Sequence, residues 1–162
     1  MATILNDAQR ATLKTAILAD GALAPLTTGA TTNFNGLKDL LNAPANPATL
    51  AWRLSVTPAE IDDAPDYTTF DAISAGKRDS WFAMLAFSRD FTRNKTRKWV
   101  TDIWGNATAA SNSEGILQAA TESATKAQVI ISGATKTTGT VTAIDRNFYG
   151  QVVLDDIQKM FG

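Results

Sequence analysis

The chain has 162 residues, 44% of them hydrophobic, and carries 15 basic against 16 acidic side chains. That is enough to bury one sizeable core, and it leaves no global field to draw the protein onto nucleic acid or anionic lipid. The absence of any cysteine or histidine excludes disulfides, thiolate catalysis, cysteine zinc sites and the imidazole that most often moves protons near neutral pH.

Taken in chain order, the first helix is capped by Asn6 with Gln9 as its capping-box partner, aligns Leu13, Ala16 and Ile17, and ends before Gly21. The opening MATILNDAQR lacks the basic start and long apolar stretch of a secretory signal, so synthesis and assembly in the cytoplasm are expected. No apolar run approaches the roughly 20 residues that span a bilayer, and no membrane contact is expected. Residues 22–32, rich in Thr, Gly and Ala, read as loop. A short helix over Asn35–Leu41 follows, and Pro44 and Pro47 stop it.

Leu50, Trp52, Leu54 and Val56 alternate with small or polar residues and predict a half-buried strand. Glu60, Asp62, Asp63 and Asp66 then form an exposed acidic helix start or turn. From Phe70 the spacing of Ile73, Lys77, Trp81, Met84 and Leu85 is helical, with Gly76 marking a bend or a close backbone approach. A second helix runs from Asn94 and stops at Gly105. It has Thr96, Trp99, Val100, Ile103 and Trp104 inward and Lys95, Lys98 and Asp102 outward.

Asn112 is placed to cap a long helix through Ile116, Leu117, Ala120, Ala124, Ala127 and Ile131, with a Glu122–Lys126 pair on its surface and Gly133 closing it. TKTTGTVTAI and FYGQVVL, joined by DRN, read as a β-hairpin, and Asp155 caps a last short helix with Ile157, Met160 and Phe161. The expected fold is mainly α, with a C-terminal β-hairpin and a short terminal helix. One domain over 1–162 is expected, with a helical body over 1–138 and an interface arm over 139–162.

The candidate sites weigh against catalysis. SAGKRDS resembles the end of a phosphate-binding loop, but Arg78 stands where the Mg²⁺-binding hydroxyl belongs and Asp71 where the turning glycine belongs. Ser74 and Lys77 are spaced as a Ser-Lys dyad could be, a spacing common in any helix. The acidic group lacks the glycine and alternating ligands of a calcium loop. No cofactor or metal is expected. The basic segment is more telling: Arg89, Arg93, Lys95, Arg97 and Lys98, beside Phe91 and Trp99, can meet an acidic partner or a phosphate backbone. Phe148, Tyr149 and Phe161 offer apolar contacts in the expected arm.

Several stretches together resemble a family of small tailed-bacteriophage proteins encoded among virion assembly genes. These are TLKTAILAD (Thr12–Asp20), AWRLSV (Ala51–Val56), FDAISAGKRDSW (Phe70–Trp81), NKTRKWVTDIW (Asn94–Trp104), Ala124–Ala127 and GTVTA with LDDI near the end. Gln128 departs from the acidic residue usual there, and the middle of the chain is unusually basic. The resemblance implies a noncatalytic virion protein, with a head-to-tail adaptor ring on the portal, bridging to the tail, as the leading expectation. Contact with DNA in the ring lumen, a nucleic-acid-binding role for the basic helix, and a tail or capsid-decoration position stay open as alternatives.

Overall fold

The computed structural model describes residues 5–105, 110–133 and 135–162. In chain order the regular elements are α1 (Asp7–Ala19), α2 (Phe34–Asn42), β1 (Leu50–Trp52), α3 (Pro58–Asp62), α4 (Ala75–Leu85), α5 (Asn94–Trp104), α6 (Ala110–Ala119), β2 (Thr121–Ser123), α7 (Lys126–Ser132), β3 (Thr135–Thr138), β4 (Val141–Ile144) and α8 (Leu154–Phe161). Short 3₁₀ turns cover Ala24–Thr27, Gly29–Thr31 and Tyr67–Ala72. The fold is mainly helical with a small sheet, a C-terminal hairpin and a short terminal helix, as the sequence predicts.

The chain gathers into two compact units, each assembled from separated stretches. One comprises 1–49, 123–134 and 146–162, and the other 50–122 and 135–145. Their boundaries do not fall at residue 138.

In the first unit, α1 starts as expected: the Asn6 side chain accepts from the Gln9 N–H and the Gln9 side chain from the Asn6 N–H, both at 2.9 Å. Helices α1, α2, α7 and α8 pack a core of Leu13, Ile17, Leu37, Leu41, Ala127, Phe148, Ile157 and Met160. Each fully buried aliphatic or Phe side chain contributes about 1.5–3 kcal/mol relative to exposure. The Asn42 side chain holds an extended segment in place, donating to the Val152 carbonyl and accepting from its N–H, both at 2.8 Å. The α8 cap differs from expectation. Val153 is the N-cap, and Asp156 reaches back to accept from its N–H at 3.4 Å. Asp155 lies inside the helix and pairs with Lys159 at 2.6 Å.

The long helix expected over 112–131 is two helices with β2 between them. Its break lies in Thr121–Thr125, where hydroxyl and β-branched side chains favour local backbone bonds over helix continuation. Thr125 then restarts the helix through a capping box with Gln128. Lys126 consequently pairs with Asp20 at 2.7 Å rather than with Glu122 along a helix face. Gly133 ends α7 at φ +69°, a left-handed conformation that glycine adopts without steric cost.

In the second unit the strand order is β2-β1-β4-β3, with β1 parallel to β4 and β4 antiparallel to β3. The hairpin lies wholly within Thr135–Ile144, pairing Thr138 with Val141 across a two-residue turn. Gly139 opens that turn at φ +60°, the handedness that suits strand twist. FYGQVVL is not its second strand.

Because β1 is an inner strand, Ala51 and Trp52 are both buried, while Leu50 and Leu54 are exposed. The strand ends at Trp52, so its alternation never reaches Leu54. Val56 is buried instead through paired backbone hydrogen bonds with Arg89, 2.9 Å each way. The helix expected from Phe70 begins only at Ala75, after the 3₁₀ turn, with Ser74 as N-cap. Gly76 sits in that first turn with open space where a Cβ would be, so neither a bend nor a close approach requires it. Trp81 and Trp104 meet edge to face at 5.2 Å in a core shared with Trp52, Ile61, Met84, Val100 and Ile116.

The expectation that residues 139–162 form a projecting interface arm gives way to burial. Val141, Ala143 and Ile144 are buried in the second unit, and Phe148, Val152, Ile157 and Met160 in the first. A two-stranded hairpin is marginal alone in water, and here two further strands and the α6 helix cover it.

Candidate functional site

The basic helix α5 is entered through Asp90. Its carboxylate accepts from the Thr92 N–H at 3.0 Å and from Arg93 Nε at 2.9 Å, setting the turn that starts the helix. α5 occupies Asn94–Trp104 as the sequence predicts, with Gly105 as C-cap, and buries Val100, Ile103 and Trp104. Lys95 and Lys98 face outward. With Trp99 and Asp102 they line a shallow, largely apolar cleft of about 420 Å³. Lys98 pairs with Asp102 one turn on, at 2.7 Å.

Arg97 does not join this face. Its side chain is 1% exposed and turned inward. Nη1 donates to the carbonyls of Phe91 (2.6 Å) and Thr92 (2.8 Å) and to Asp145 (3.2 Å), and Nε donates to Thr138 Oγ at 3.2 Å. The guanidinium also lies over the Trp52 ring at 4.8 Å. A buried cation needs partners of this kind, and Arg97 has them within its own unit. Of the basic residues singled out in the sequence, Arg93, Lys95 and Lys98 are surface groups, Arg89 is half-buried and Arg97 is a core residue.

Arg89, the first cation of the same basic segment, and Phe87, which sequence reasoning passed over, extend the face. Arg89 donates from Nε to the Met84 carbonyl at 2.9 Å and from Nη2 to the Ala83 carbonyl, covering the last carbonyls of α4. Its guanidinium lies 5.2 Å from the Trp99 ring and 5.9 Å from the Phe87 ring. Phe87 is 70% exposed. The signal for it was the break in helical spacing after Leu85, which leaves Phe87 off the buried stripe.

Three of the four residues in the acidic group, Glu60, Asp62 and Asp66, are spent on local structure, and Asp63 is exposed. Glu60 accepts from the Thr57 N–H at 2.8 Å as the capping-box partner of α3 and pairs with Arg53 at 2.6 Å. The Thr57 N–H, then Arg53, then the Thr57 hydroxyl lower its pKa to about 2. Asp66 caps the following 3₁₀ turn by accepting from the Thr68 N–H, which lowers its pKa as well. Asp62 accepts from the Tyr67 hydroxyl. Among the described residues, no group of three or more carboxylates is placed to hold a metal ion.

Tyr67, Phe70 and Phe82 form an aromatic chain beside these acids, with centroid distances of 5.3 and 5.6 Å. Phe82 is 57% exposed. Asp71, next to Phe70, pairs with Arg78 at 3.2 Å. The second unit therefore carries one aromatic face flanked by carboxylates and another flanked by cations.

The remaining predicted contacts divide. Phe148 is buried in the core of the first unit, contrary to the expectation that it projects, because it packs among the side chains of the helices there. Tyr149 is exposed, with the Arg146 guanidinium over its ring at 5.0 Å. Phe161 is half-buried, with Lys14 Nζ 5.3 Å from its ring. No helix among the described residues is long and apolar enough to cross a membrane. Comparison with family models, with curated proteins and with solved structures finds no match to this chain.

Proposed function

We propose that this protein is a noncatalytic structural component of a tailed-phage virion, acting as a head-to-tail adaptor that forms a ring on the portal and bridges to the tail. The sequence stretches described above supply the phage reading. The observation that supports an assembly role is the contrast within the second unit. Trp52, Trp81 and Trp104 are fully buried, yet Phe82 and Phe87 stand 57% and 70% exposed on faces rich in charge. Exposed aromatic side chains rimmed by charge are what an interface presents before its partner arrives.

The test is to tag the subunit and image purified intact virions. Density for the tag at the neck is the expected result. A subunit absent from virions would overturn the virion role, and one on the capsid surface or along the tail would overturn the adaptor position. The nucleic-acid alternative has fewer groups to draw on, because Arg97 is committed to the core and Arg93 and Lys98 each have a carboxylate partner.

A further inference from the structure

We infer that the cationic aromatic face around Trp99 docks the acidic aromatic face around Phe82 of a second copy of this chain. Phe87, Arg89 and Trp99 are contiguous, with Lys95 and Lys98 beside them at the mouth of the cleft. On the other face Tyr67, Phe70 and Phe82 are contiguous and Asp63 and Asp71 are exposed. Each surface offers one prominently exposed phenylalanine, and their charges are opposite. Docking one on the other removes both apolar patches from water and sets carboxylates against ammonium groups.

The partner is protein rather than nucleic acid on chemical grounds. The cleft lining is largely apolar and Lys98 is already paired with Asp102. Docking there therefore draws chiefly on apolar contact, which a side chain such as Phe82 supplies and a phosphate backbone does not. Where each face meets a different neighbouring copy, the contact is heterologous. Repeated, such a contact forms a ring if its rotation closes and a filament if it does not. The inference rests on the ring reading above only for that closure.

The test uses the full chain with charge reversals on one face at a time, Lys95→Glu/Lys98→Glu or Asp63→Lys/Asp71→Lys. Sedimentation velocity and native mass spectrometry would follow association over a range of protein and NaCl concentrations. Wild type should self-associate, less so at high salt, and each double variant alone should associate at least about tenfold more weakly. Mixing the two variants should restore association, because the mixture contains one intact pair of faces. Circular dichroism checks that each variant is folded, and Phe87→Ser with Phe82→Ser gives a second, charge-independent pair of variants.

A monomeric wild type, variants that associate like wild type, or a mixture that stays dissociated would each overturn the contact. Salt-sensitive duplex DNA binding lost in Lys95→Glu/Lys98→Glu, with self-association unchanged, would assign the face to nucleic acid instead. Failure here with the subunit still present at the virion neck would overturn this contact alone. Restored association with the subunit absent from virions would leave the contact standing and overturn the virion role.

Discussion

The guanidinium of Arg97 lies 4.8 Å from the ring centroid of Trp52, joining the basic helix to the inner strand β1 through the core of the second unit. The same group satisfies the carbonyls of Phe91 and Thr92, which belong to the turn entering α5. Arg97 therefore fixes how α5 is seated, and α5 in turn presents Lys95, Lys98 and Trp99.

Replacing Arg97 with Ala should destabilise the protein by about 2–4 kcal/mol, through lost packing and the loss of a donor to the buried Phe91 carbonyl and the partly buried Thr92 carbonyl. Arg97→Lys should recover only part of this, since an ammonium cannot reproduce a planar fork stacked on an indole. Lys95→Ala should lie within about 0.5 kcal/mol of wild type. Urea unfolding of the three variants separates these outcomes, and an unchanged midpoint for Arg97→Ala would show that the residue does not hold the core.

Glu60 gives the protein an acid-sensitive cap. Its folded pKa of about 2 lies below the ordinary value of 4.5, so its contribution is present above pH 4.5 and is lost as pH falls through about 2. Glu60→Gln should flatten that part of the acid limb in pH-dependent unfolding while leaving the neutral-pH fold unchanged. Identical acid limbs in the two proteins would contradict the assignment.

Tyr67 should ionise late. Burial first, and donation to Asp62 second, raise its phenol from 10.0 to about 12, although the N–H of Trp81 at 2.8 Å opposes this. With a raised folded pKa, its contribution to stability is present below pH 10 and is lost as pH rises through about 12. Ultraviolet absorbance titration should show a phenolate transition near 12 that disappears in Tyr67→Phe. A transition for Tyr67 at 10 would mean that the hydroxyl is free in water.

Deleting Gly139–Gly162 removes β4 from the sheet and α8 from the helical core. We expect loss of cooperative thermal unfolding and of much of the helical circular dichroism, because Val141, Ala143, Phe148, Ile157 and Met160 are all buried. A milder probe, Ile157→Ala, should cost about 2–5 kcal/mol. A truncated chain that unfolds cooperatively with its helical signal intact would restore the view of this segment as an appendage.

Elements whose signals are local were legible in the chain. The Asn6–Gln9 capping box, the 3.6-residue stripe of α5 and Gly133 after α7 depend on side chains within one turn of one another, and each appears where the spacing puts it. A second local signal, Thr125 with Gln128, was also legible and marks the break between α6 and α7, but the alanine-rich stripe running across it masked it. The remaining placements depend on long-range packing. Arg97 and Lys98 are neighbours of the same chemistry, and only the position of Trp52, Thr138 and Asp145 around the helix sends one inward and leaves the other in water. Likewise, Val141 and Phe148 look equally available in a C-terminal arm. Which core each enters depends on pairing with strands and helices far away in sequence, and no local spacing encodes that.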